Sequence, residues 1–129
     1  MGANPAPGFR RDPSYRIAIE PFEGIVTVRL GDAVLASSAE ALTLREADRA
    51  PVFYIPFGDI YFEFLKRSAT ASHCPFKGDA SYWSATLADG VTQDVMWAYE
   101  QPYDEMLEIG DHGAFYPGKV RIETTPPAA

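Results

Sequence analysis

From residue 16 to residue 123 the chain carries short apolar–polar alternations separated by Gly, Pro and Asp, the pattern of half-buried strands joined by tight turns. Residues 16–20 set Ile17 and Ile19 between polar neighbours. Residues 25–30 are β-branched and run into Gly31-Asp32, a Gly-first pair suited to a type II′ hairpin, with a return strand over 33–37. In 41–46 a period of two puts Leu42, Leu44 and Glu46 on one face. Residues 52–55 make a short apolar strand stopped by Pro56. Strands over 80–88 and 91–99 flank Asp89-Gly90, a type I′ signal, and a last pair over 113–116 and 119–123 flanks Pro117-Gly118, which suits a type II turn.

Helix is scarce. Asp59 is placed to cap a helix over 60–67, with Ile60/Phe64 and Tyr61/Leu65 four apart, though the alternation of Ile60, Phe62 and Phe64 also fits a strand. A further helical turn is expected over 103–107. The fold class that follows is mainly β: compact tent-like or barrel-like antiparallel sheets with one or two short helices. Residues 1–14 and 124–129 are rich in Pro, Ala and Gly and are expected as flexible tails around a single β-rich domain, 15–123.

The Asp89-Gly90 turn fixes a register. With a two-residue loop, Tyr82 lies opposite Trp97 and Ala80 opposite Tyr99, all on one face, while Trp83 and Met96 share the other. Tyr82, Trp97 and Tyr99 then form an aromatic wall in which Ala80 leaves space. The same arrangement also suits a plain core layer.

Composition narrows the function classes. The 129 residues are 47% hydrophobic and 13% aromatic, which suits one globular domain. A formal net charge of −7 opposes non-specific binding to nucleic acid or an anionic membrane surface, and the adjacent basic pairs Arg10-Arg11 and Lys66-Arg67 are too few for a phosphate-tracking patch. The single cysteine excludes an internal disulfide and a multi-cysteine zinc site. The first fourteen residues lack the apolar stretch of a signal peptide, and Met1-Gly2 lacks the hydroxyl residue of a myristoylation site, since Ala6 stands there. No apolar run is long enough to span a bilayer, so a soluble, cytoplasmic protein is expected.

The chemistry-bearing residues gather around Cys74-Pro75-Phe76-Lys77-Gly78. A thiol and an amine stand three positions apart there, the two strongest nucleophiles at neutral pH. His73 is a poor base for Cys74, because neighbours on an extended strand face opposite ways. Lys77, between an aromatic residue and a glycine, is a nucleophile, base or anion anchor if an apolar pocket holds it, and an ordinary surface lysine otherwise. Glu46 shares a face with two leucines, where a carboxylate needs a partner, and Lys77 or Arg45 is the candidate. The catalytic candidates are therefore Cys74, Lys77 and Glu46, and the ligand-binding candidates Tyr82, Trp97 and Tyr99. No metal-ligand spacing, phosphate-binding glycine loop or nucleophile elbow occurs, and no metal or cofactor is expected.

These residues resemble a known family. The string from Cys74 to Tyr82, the later Trp97-Ala98-Tyr99 with Pro102, and Phe115-Tyr116 are similar to the bacterial and fungal domain of unknown function 427. Ala36-Ser37, Leu44-Arg45-Glu46 and Tyr54-Ile55-Pro56 with Asp59 match its pattern in order, and Phe76 stands where tyrosine is common. The resemblance implies a topology similar to the tent-like double sheets of methionine sulfoxide reductase B and the ligand-binding domain of cereblon. The family is also catalogued as nucleotidyltransferase-like, but no Gly-Ser loop with paired acidic metal ligands occurs here. The expected function is a small-molecule-binding domain, and an enzyme if Cys74 or Lys77 acts as nucleophile. The alternatives are an interaction or structural module without a site, or a single-cysteine thiol-redox protein needing an external resolving thiol.

Overall fold

A computed structural model of the chain describes residues 3–126. It contains one α-helix, α1 (Pro7–Arg11), and ten strands: β1 (Ile17–Pro21), β2 (Ile25–Leu30), β3 (Ala33–Ser38), β4 (Leu42–Glu46), β5 (Val52–Pro56), β6 (Leu65–Cys74), β7 (Gly78–Leu87), β8 (Gly90–Ala98), β9 (His112–Phe115) and β10 (Arg121–Thr125). Short 3-10 turns cover Phe57–Asp59, Phe62–Phe64 and Asp104–Ile109. All strand pairs are antiparallel, in a seven-stranded sheet of order β1-β4-β5-β9-β8-β7-β6 and a three-stranded sheet of order β10-β2-β3. The fold is thus mainly β with two sheets, and neither closes into a barrel.

Period-two patterning decides which side chains meet. One face of the large sheet, with Ile55, Trp83, Met96 and Phe115, packs on Val26, Val28, Leu35 and Ala36 of the small sheet to make the main core. The opposite face presents Leu44, Tyr54, Ala80, Tyr99 and Ala114, joined by Tyr82 and Trp97. Met106 and Ile109, from the turn after β8, cover part of this second face. Tyr82 pairs with Trp97 and Trp83 with Met96, as the sequence pattern requires.

Several expectations are corrected. No helix spans 60–67: two 3-10 turns lead into the ten-residue β6, which pairs with β7 on both sides of an irregularity between Arg67 and Ala71, so the strand pattern of the segment prevails. Asp59 caps no helix and instead accepts a hydrogen bond from Ser38 Oγ. The 113–116 and 119–123 segments do not pair with each other. β9 sits between β5 and β8, and β10 crosses to β2 in the other sheet. The hairpin turn falls on Ala88-Asp89 rather than Asp89-Gly90.

The N-terminal segment is also folded where a flexible tail was expected. Gly8 N donates to Pro75 O at 2.9 Å, Asp104 N to Asn4 O at 2.9 Å, and Ala6 is fully buried. At the other end β10 extends to Thr125. Met1, Gly2 and residues 127–129 lie outside the described residues.

Candidate functional site

Glu46 is the last residue of β4, opposite Ile17 of β1, and the chain turns away immediately, with Ala47 at φ 48°. Its side chain therefore ends on the same face as Leu44 and Tyr54, at the rim of the second core. Lys77 comes from the tight connection between β6 and β7, where Cys74 pairs with Gly78 across the turn. Gly78 has φ 124°, a conformation that side chains disfavour, and it swings the chain from the turn into β7. Tyr103 N holds the turn by donating to Lys77 O at 3.0 Å.

The two elements bring opposite charges together out of water. Lys77 Nζ donates to Glu46 Oε1 at 2.6 Å, with the residues only 6% and 7% exposed. The ammonium also lies 3.9 Å from Cys74 Sγ, a weak acceptor. The second carboxylate oxygen accepts from Tyr15 OH at 2.6 Å and lies 4.0 Å from Arg49 Nη1. Burial disfavours the ionised carboxyl, but the hydrogen bonds from Lys77 and Tyr15 and the nearby positive charges outweigh it, so Glu46 stays below the ordinary carboxylate range. The Tyr15 phenol is pushed up to about 12, first by that hydrogen bond and then by partial burial.

Beside this pair is a cavity of about 210 Å³ lined by Glu46, Lys77, Tyr54, Tyr82, Trp97, Tyr99 and Tyr116, with Leu44, Arg49, Ala50 and Val52. Trp97 Nε1 donates to Tyr54 OH at 3.3 Å, and the Trp97 and Tyr116 rings lie 4.4 Å apart at 41°. Tyr82 OH shares a 2.7 Å hydrogen bond with Ser72 Oγ. Burial drives the Tyr54 and Tyr99 phenols well above their ordinary value, so both remain protonated.

Five of the six candidates from the sequence line one cavity. The exception is Cys74, which is half-buried and reaches the site only through the Lys77 ammonium. His73 turns to Asp79, with Nδ1 2.7 Å from Oδ1, and His112 Nδ1 donates to Gly110 O at 2.7 Å, so neither is set to serve the thiol. Arg45 pairs with Glu20 at 3.2 Å, leaving Lys77 as the partner of Glu46. A larger groove of about 490 Å³, lined by Asn4, Asp79, Ser81, Glu100 and Tyr103 among others, has mostly exposed walls and holds no buried charge.

Sequence reasoning missed Tyr54, Tyr116, Tyr15 and Arg49. Period two on the 52–55 strand would have placed Tyr54 with Val52 on one face. Tyr116 was hidden by the wrong partner for β9. Tyr15 and Arg49 stand outside any strand, where no periodicity marks them. Among the described residues no three His, Cys, Asp or Glu side chains converge in a way that would hold a metal ion, and no helix is long and apolar enough to cross a membrane.

Residues 18–126 match the model of a single protein family, described as a domain of unknown function (DUF427) and labelled as a nucleotidyltransferase-type domain. No curated protein matches the chain.

Proposed function

Since the chain belongs to the DUF427 family, whose description assigns no activity, we propose from the site itself that this domain binds a small organic molecule in the cavity beside Lys77 and Glu46. One observation carries the reading: an ion pair of 2.6 Å is buried at the wall of an aromatic-lined cavity. A buried ion pair is at best a modest source of stability, because desolvating both charges offsets their attraction. Well-packed apolar residues would serve the fold equally, whereas a positioned ammonium beside an aromatic-lined cavity serves recognition. In this reading Glu46 orients Lys77, Lys77 presents its remaining N–H groups, and Tyr82, Trp97 and Tyr99 form the walls. At about 210 Å³ the cavity is below the roughly 300–1,000 Å³ of drug-sized ligand sites, so the ligand is a small metabolite.

The double variant Lys77→Met/Glu46→Gln tests this, since it keeps side-chain length and removes both charges. A thermal-shift screen of small metabolites is expected to give at least one compound that raises the melting temperature of the wild-type domain and not that of the double variant. A panel without any such compound, or equal shifts in both proteins, favours a purely structural pair and rejects the proposal.

A further inference from the structure

The cavity wall is unbalanced in its hydrogen-bonding groups. Tyr99 is 9% exposed and lines the cavity, yet its hydroxyl has no hydrogen-bond partner among the described residues. Tyr54 OH accepts from Trp97 Nε1, which leaves its own proton to give. Lys77 has three N–H donors, of which one goes to Glu46 and a second faces only the weak sulfur acceptor of Cys74. Both phenols are neutral throughout the neutral range, as any phenol is, and so keep a proton to donate.

The charged acceptor is already engaged: among the described residues Glu46 is the one carboxylate lining the cavity, and each of its oxygens already accepts a hydrogen bond, one from Lys77 and one from Tyr15. Formal charge points the same way: Lys77 cancels Glu46, and Arg49 at the wall adds a further positive charge. Among the described residues no buried side-chain nitrogen or oxygen lacks a partner, so the unpaired Tyr99 hydroxyl opens onto the cavity, where a ligand with acceptor oxygens takes the place of water on it. A ligand cation would meet donors and a committed carboxylate.

We infer that the ligand of this cavity is a small monocarboxylate with an apolar, ring-sized body, its carboxylate held by Lys77 Nζ and Tyr99 OH and its body against Trp97. The inference rests on the binding function proposed above and adds the ligand class to it.

Tyr99→Phe is the informative variant. Its hydroxyl has no hydrogen-bond partner among the described residues, so the change is expected to leave the fold intact and to remove only a ligand contact. Benzoate, benzyl alcohol and benzylamine, which share one ring and differ in the polar group, are titrated calorimetrically at neutral pH. Benzoate is expected to bind at least tenfold more tightly than the other two, and Tyr99→Phe to weaken it about tenfold, the size of one hydrogen bond to a charged group, with no fall in the melting temperature of the free protein. Benzylamine binding as well as benzoate, unchanged benzoate affinity in Tyr99→Phe, or benzoate binding that survives in Lys77→Met/Glu46→Gln overturns the inference. If none of the three binds while the metabolite screen yields a charge-dependent ligand of another class, the carboxylate assignment fails and the binding function stands. If the screen also yields nothing, both fail.

Discussion

Tyr15 donates from its hydroxyl to Glu46 Oε2 at 2.6 Å while its ring stacks on Phe76 at 4.2 Å and 16°. A residue from the segment before β1 thereby joins the acid at the end of β4 to the turn that carries Lys77. Tyr15→Phe retains the stacking and deletes only the hydrogen bond. The expected cost in urea unfolding is about 1–2 kcal/mol, the lower range for a bond to a charged group because Tyr15 is partly exposed. The Glu46 carboxyl should also titrate higher, since one of the bonds that holds it down is gone. Carboxyl-carbon NMR titration checks this, and unchanged values in both measurements would mean that the hydroxyl does not engage the acid.

The same pair sets limits on both sides of the pH range. Glu46 titrates below its ordinary 4.5 in the folded state, so its contribution to stability is present above that pH and is lost as pH falls through the folded value. Tyr15 shifts the other way, from 10.0 to about 12, so its contribution is complete below pH 10 and disappears between pH 10 and about 12. Melting temperature against pH should fall at both ends in the wild type. In Lys77→Met/Glu46→Gln the alkaline fall should weaken, because the carboxylate that holds the phenol proton is gone. The acid fall should only diminish, because Asp94, Glu100 and Glu123 are also held low by their partners.

Removing one charge of the Lys77–Glu46 pair should be worse than removing both. Lys77→Met leaves a carboxylate that is 7% exposed with only Tyr15 and the largely exposed Arg49, at 4.0 Å, beside it, and breaking a buried pair this way costs about 3–5 kcal/mol. Glu46→Gln added to it restores most of that loss, since the amide is neutral and still accepts from Tyr15. Chemical denaturation of the wild type, single and double variants measures the recovery. A double variant no more stable than Lys77→Met would show that the two side chains are not coupled.

How far the sequence carried these conclusions varies by element. The Tyr82–Trp97 register was legible, but through two deviations that cancel. The hairpin turn lies on Ala88-Asp89, which shifts the pairing near it, and Ala85 faces Thr92. A bulge between Trp83 and Ala85 then restores the expected partners. Asp94 occupies the bulge at φ 49°, held by Ser68 Oγ at 2.6 Å, Thr70 Oγ1 at 2.7 Å and its own N–H to Ser84 Oγ at 3.0 Å. Nothing local announces such a bulge, because its bonds come from β6 and β7. Strand β6 was obscured for a related reason. Its residues Lys66 to His73 are mostly exposed at a sheet edge, so no apolar alternation marks them, and pairing with β7 supplies the order instead. Glu46 and Lys77 were legible because a carboxylate on an apolar face and a lysine in a tight turn are both anomalies that need partners. Their mutual contact, 31 positions apart in sequence, depends on packing that no local pattern encodes.

The N-terminal helix offers a test of whether the segment expected as a tail controls access to the thiol. Gly8 lies so close to the turn that a Cβ there would stand 2.7 Å from Phe76 Cδ1 and 2.9 Å from Pro75 O. Phe9 packs edge-on against Phe76 at 4.9 Å and joins the cluster that contains Cys74. Gly8→Val should therefore unseat α1, since forcing extra methyl groups into a close contact costs about 1–3 kcal/mol and the helix has few other attachments. The main core does not touch this helix, so global unfolding should change little while local opening increases. Alkylation of Cys74 by iodoacetamide is expected to accelerate by about tenfold, the factor that corresponds to roughly 1.4 kcal/mol of easier opening. Gly58→Ala, where nothing lies within 4 Å of the new Cβ, is the control and should leave the rate unchanged. Equal rates in wild type and Gly8→Val would mean that the helix does not shield the thiol, and that Cys74 owes its protection to the β6–β7 turn alone.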